Sequence, residues 1–127
     1  MNAVDTNVYV YTIDADDPAK QTKAIELLER LALAPEGTVI LWQVAGEFLG
    51  QLRRFEAKGL LTSSAVETGS SDGIFQASFD LRSRFSLSHW DSMLLAACKE
   101  AGVTTFYSED MAAGMNYDGV VIVNPFA

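Results

Sequence analysis

The chain has 127 residues, 49% of them hydrophobic, which suits one compact domain with an apolar core and leaves too little length for two. Seventeen Asp and Glu against nine Lys and Arg give a net charge of -8, so the bulk field repels nucleic acid unless carboxylates gather at one site and take up a divalent cation. Cys98 is the single cysteine, which excludes an intrachain disulfide and a cysteine-built zinc site, and no stretch approaches the roughly 18 apolar residues of a membrane span.

Met1 to Asp5 shows no basic segment followed by an apolar one, so a cytoplasmic protein is expected. Ala3-Val4 reads as a short first strand, with Asp5 or Thr6 capping the helix behind it. Pro18 to Leu33 reads as a helix: Pro18 stands at an N1-like position, and Ala24, Leu27, Leu28 and Leu31 recur at three- and four-residue spacing. Val39 to Trp42 reads as a buried strand, followed by a helix from Val44 to about Lys58 that stops at Gly59. Ser63 to about Phe85 reads as helical, broken by a turn at Gly69 to Gly73. Ser88 to Ala101 reads as a compact apolar helix with Gly102 at a C′-like position, and strands follow at Val103 to Tyr107 and Val120 to Val123. Strands alternating with helices predict an α/β fold with a mostly parallel sheet, whose functional groups gather beyond the carboxyl ends of the strands.

Four acids fall at such positions. Asp5 directly follows the first strand, and Asp110 follows the Val103 to Tyr107 strand after Ser108 and Glu109. Glu47 lies one turn into the helix after the second strand, and Asp91 in the first turn of the helix opening at Ser88, both where a helix dipole favours negative charge. Carboxylates are the hard oxygen ligands of Mg²⁺ or Mn²⁺, and such a site suits phosphodiester cleavage. Taken singly each has an ordinary reading: Asp5 as a cap, Ser88 to Asp91 as a capping box, Ser108 or Asp110 as the cap of a short helix before Gly114, and Glu47 as a solvated position. The ordered set carries more weight than any member.

Val4-Asp5-Thr6-Asn7-Val8, Gln43 to Phe48, Leu87 to Ser92, Tyr107 to Met111 and Gly119 to Phe126 together resemble a PIN domain, specifically the VapC-like toxins of bacterial toxin–antitoxin pairs. The resemblance spans nearly the whole chain. It implies a single domain over 1–127 with a three-layer α/β/α architecture around a mostly parallel sheet of four to five strands. It implies an endoribonuclease whose Mg²⁺ or Mn²⁺ site is formed by Asp5, Glu47, Asp91 and Asp110, with Thr6, Asn7 and Ser108 in support. It also implies an RNA substrate such as tRNA, rRNA or mRNA, a cognate antitoxin and a homodimer. Only four residues precede Asp5, short for a central strand.

His89 reads as a helix-start residue rather than a proton shuttle. Arg53, Arg54, Lys58, Arg82 and Arg84 are candidate phosphate contacts, against the plainer reading of a solvated charged face. Trp42, Phe48, Leu49 and Leu52 form an apolar stripe that suits the core or an interface. Two rival readings are a catalytically silent RNA- or protein-binding module of the same fold and a small-molecule phosphatase. Asp5-Thr6-Asn7 lacks the second aspartate that a haloacid-dehalogenase-type phosphatase carries two residues after the first.

Overall fold

The computed structural model describes residues 1–54, 66–67 and 80–127, with backbone alone at 49–54, 66–67 and 89. The elements in chain order are β1 (Asn2–Val4), α1 (Thr6–Tyr11), α2 (Pro18–Ala32), β2 (Thr38–Leu41), α3 (Trp42–Arg54), β3 (Val66–Glu67), α4 (His89–Glu100), β4 (Thr105–Tyr107), β5 (Asn116–Tyr117) and β6 (Val120–Val123). Residues 80–85 are also helical.

Among the described residues the sheet runs β3-β2-β1-β4-β6-β5, every pairing parallel except the β5–β6 hairpin. Four strands of three or four residues form its body, as the sequence predicts, and the two-residue β3 and β5 close its edges. Short as it is, β1 is central and wholly buried, with β2 on one side and β4 on the other. The chain leaves β1 for β2 and later returns to β4 on the opposite flank, so the strand order reverses at β1.

Side-chain alternation gives the sheet two apolar faces. Ala3, Phe106, Val120 and Ile122 pack with Leu94, Leu95, Ala97 and Cys98 of α4, while Val4 of the same β1 packs with Val8 of α1 and Ala24, Leu27 and Leu31 of α2. These are the two helical layers, and the α/β prediction holds.

Local signals set several boundaries. Asp17 caps α2 by accepting from Lys20 N, and Pro18 opens it. Gly102 adopts φ 75°, and Val103 N donates to Cys98 O at 2.8 Å, the six-to-one bond that ends α4. Trp42, read from sequence as the end of a strand, instead opens α3 directly after β2. No helix forms between Ser108 and Gly114: Asp110 N donates to Ser108 Oγ at 3.3 Å in a bend, and Gly114 N is taken by Ile122 O. Within the stretch read as helical from Ser63 to Phe85, Val66–Glu67 is a strand because it completes the edge beside Ile40 and Leu41, whereas 80–85 is helical as expected. The Gly69 to Gly73 turn and Lys58 lie outside the described residues.

Candidate active site

Because β1, β2 and β4 are parallel, their carboxyl ends share one edge of the sheet, and each delivers an acid there. A cleft of about 440 Å³ opens at that edge, lined by Asp5, Thr6, Asn7, Val10, Tyr11, Asp14, Glu47, Trp90, Asp91, Leu94 and Asp110. All four acids predicted from sequence therefore meet, together with Thr6 and Asn7. Ser108 lies buried beneath them.

Asp5 is the anchored member, only 8% exposed. Its Oδ1 accepts from Thr6 N at 2.7 Å as the cap of α1, and its Oδ2 accepts from Ser108 Oγ at 2.8 Å. Burial raises its pKa, the Ser108 and Thr6 hydrogen bonds oppose that rise, and the charges of Asp110 and Asp91 reinforce it. The residue that caps α1 is thus also one that lines the cleft.

Asp110 Oδ2 accepts from Asn7 Nδ2 at 3.0 Å, joining the bend after β4 to the first turn of α1. Asp91 is the third residue past the Ser88 cap, whose Oγ accepts from Asp91 N at 3.1 Å, leaving the Asp91 carboxylate toward the cleft. Glu47, on the exposed face of α3, has its pKa raised by partial burial and by the charge of Asp5. The side chains of Thr6 and Trp90 face it and lower the value again, although Thr6 Oγ1 has no hydrogen bond of ordinary length.

Among the described residues none of the four acids forms an ion pair. Nor do any three Asp, Glu, His or Cys side chains there close around one point at ligand distance. The donor set nevertheless fits a hard divalent cation: it is all oxygen, neighbouring carboxylate charges raise the pKa values of Asp5 and Glu47, and the buried Thr6 Oγ1 and Asn7 Oδ1 lack partners beside it. Closing it takes rotation of Glu47, Asp91 and Asp110, which stand exposed or half-exposed on the cleft walls.

No protein-family model matches the chain, and no curated protein sequence does so at a significant level. Solved structures do. A toxin–antitoxin complex from Klebsiella pneumoniae superposes with a TM-score of 0.73 at 18% identity, covering 98% of this chain and 98% of that one. VapC20 of Mycobacterium tuberculosis, described as a sarcin–ricin loop cleaving toxin, gives 0.62 at 22% identity over 87% of this chain and 92% of its own. FitAB bound to an IR36 DNA fragment gives 0.64 at 15% identity over 100% and 96%.

The chain has the PIN fold. In this PIN fold some candidate residues stand apart from the cleft. Arg84 pairs with Asp80 and Asp118, and Arg82 is exposed; neither lines it. The side chains of Arg53, Arg54, Leu49, Leu52 and His89 lie outside the described residues. Phe48 packs on Tyr9 with ring centroids 5.8 Å apart, while Trp42 is largely exposed.

Sequence reasoning missed a cluster at the rim. Tyr11 OH donates to Glu109 Oε2 at 2.8 Å, Lys20 Nζ contacts Glu109 Oε1 and reaches Tyr11 OH at 3.2 Å, and Phe126 meets the Tyr11 ring edge-on. Tyr11 stands one helical turn beyond Asn7, the signal that puts both on the cleft side of α1.

Proposed function

We propose that the chain is a metal-dependent endoribonuclease, the toxin of a toxin–antitoxin pair, which hydrolyses RNA phosphodiester bonds in the cytoplasm and is restrained by a cognate antitoxin. The observation that carries this reading is the convergence of Asp5, Glu47, Asp91 and Asp110, from four distant places in the chain, on one cleft at the carboxyl edge of a parallel sheet. That the similar solved structures include a toxin–antitoxin complex and an RNA-cleaving toxin supports the assignment of substrate and partner.

Asp5, Glu47, Asp91 and Asp110 would hold Mg²⁺, or Mn²⁺ in its place. Bound there, the cation supplies the positive charge that offsets the carboxylates and the charge building on a phosphodiester under attack. The chain's own residues prepare the site. Ser108 Oγ and Thr6 N fix both oxygens of Asp5, and Asn7 Nδ2 fixes one oxygen of Asp110, so two acids from different strands keep a set spacing. An antitoxin segment bearing Arg or Lys would complete the same acids by charge and block the cleft, and the exposed Trp42 would serve a homodimer contact.

The test is incubation of the partner-free chain with total RNA and tRNA in Mg²⁺ or Mn²⁺, with EDTA and an Asp5→Ala/Asp91→Ala variant as controls. Discrete fragments that disappear in both controls are expected. A folded, partner-free sample that cuts no RNA in either metal overturns the reading in favour of a silent binding module.

A further inference from the structure

The cleft poses an electrostatic problem for a polyanion. Four carboxylates and Asp14 line it, and no Lys or Arg is among its described lining residues. At its rim, Lys20 is engaged with Glu109 and Tyr11. A cation in the acid site would account for one phosphate, and a contact that does not depend on charge would add to the hold on a nucleotide there.

Trp90 provides one. It is 42% exposed although it belongs to a helix packed on the core, and it lines the cleft beside Asp91. Its indole faces Glu47, and much of its surface stays open to the cleft. Val10 and Leu94 add apolar lining to the same cleft. An open aromatic face next to a phosphate-cleaving centre is the arrangement on which an unstacked base rests, and such stacking tolerates any base because each has a π-face.

We infer that Trp90 is a base-stacking platform that seats a nucleotide of single-stranded or splayed RNA next to the acid site. This rests on the functional reading above. It assigns Trp90 to substrate selection: unpaired nucleotides are bound, purines more tightly than pyrimidines, and a paired base is not.

The test uses the full chain in a Trp42→Phe background, which leaves Trp90 as the only indole of the two in the sequence, with Asp5→Asn added to prevent cleavage. Its emission is followed at fixed Mg²⁺ during titration with oligo(A), oligo(U) and an abasic ribose-phosphate chain of equal length. Saturable quenching in the order oligo(A), oligo(U), abasic chain is expected. In anisotropy with labelled oligo(A), Trp90→Leu should weaken binding roughly five-fold or more, the loss of one stacked base, and Trp90→Phe should recover part of it. The Phe variant keeps a ring but has no indole N–H to present to Glu47, so its recovery separates stacking from support of the acid.

Equal quenching by the abasic chain, or unchanged binding by Trp90→Leu, overturns the inference. If the parent chain still cuts RNA in that case, the functional reading survives it. If the partner-free chain neither binds nor cuts RNA, both fall together.

Discussion

Ser108 and Asp5 are 103 residues apart in sequence, yet the Ser108 hydroxyl donates to Asp5 Oδ2 at 2.8 Å in the buried floor of the cleft. The same oxygen of Ser108 accepts from Asp110 N, so one hydroxyl ties the ends of β1 and β4 together. Replacing Ser108 by Ala leaves the buried Asp5 carboxylate short of a donor. Stability should fall by about 1–3 kcal/mol in denaturant titration, and kcat for RNA cleavage by roughly ten-fold or more. Unchanged turnover in a folded Ser108→Ala protein would remove Ser108 from the site.

Asp5 has its pKa raised, first by burial and then by the neighbouring Asp110 and Asp91, against the pull of Ser108 and Thr6. A carboxyl with a higher pKa folded than unfolded binds protons more tightly in the native state. Asp5 therefore favours the fold increasingly as pH falls toward and through its raised value, and opposes it as pH rises to neutrality. A cation bound to the acids reverses that cost. Mg²⁺ at a hundred times its Kd should add about 2.7 kcal/mol of stability at neutral pH, and Asp5→Asn should show neither the pH trend nor the full metal response. A Tm indifferent to Mg²⁺ in the parent chain would speak against a metal at this site.

Glu109 follows the opposite sign. Burial raises its pKa, but the hydrogen bonds from Lys20 and Tyr11 outweigh burial and hold it below 4.5. Its contribution to stability is present above 4.5 and is lost as pH falls through the lowered value. Lys20→Met should therefore lower the Tm at neutral pH, with the gap to the parent closing in acid below that range. A gap independent of pH would mean that Lys20 acts through packing on Tyr11 and Phe126 alone.

Cys98 has no exposed surface, and burial, with the nearby Asp5 charge, pushes its thiol well above the usual range. It should resist iodoacetamide in the native protein and react fully once the chain is unfolded. Rapid alkylation of native protein, read by mass spectrometry, would show that α4 leaves the sheet readily.

Much of the helical structure was legible because its signals are local. Asp17-Pro18 and the Leu27-Leu31 spacing mark α2, and Ser88 and Gly102 bracket α4, each through hydrogen bonds made within one turn. The β5–β6 hairpin also carries a local signal that the sequence reading passed over: Asp118 and Gly119 both take positive φ, the two-residue turn that an Asp-Gly pair favours. Other features were not local. Val66–Glu67 is a strand only because β2 offers it an edge, and Trp42 begins a helix because β2 ends at Leu41.

The sequence by itself determined the α/β class, the ends of α2 and α4 and the chain positions of the four acids, because caps, periodicity and strand-end placement are written in neighbouring residues. Only the tertiary structure decided that Asp5 would be buried with Ser108 as its donor, that Asn7 would hold Asp110 and that Arg84 would be taken up by Asp80 and Asp118. It also set Trp90 open beside Asp91. Those relationships depend on which strands lie side by side. The order in which β1, β2 and β4 pair is fixed by packing both faces of the sheet at once, and no short stretch of the chain specifies it.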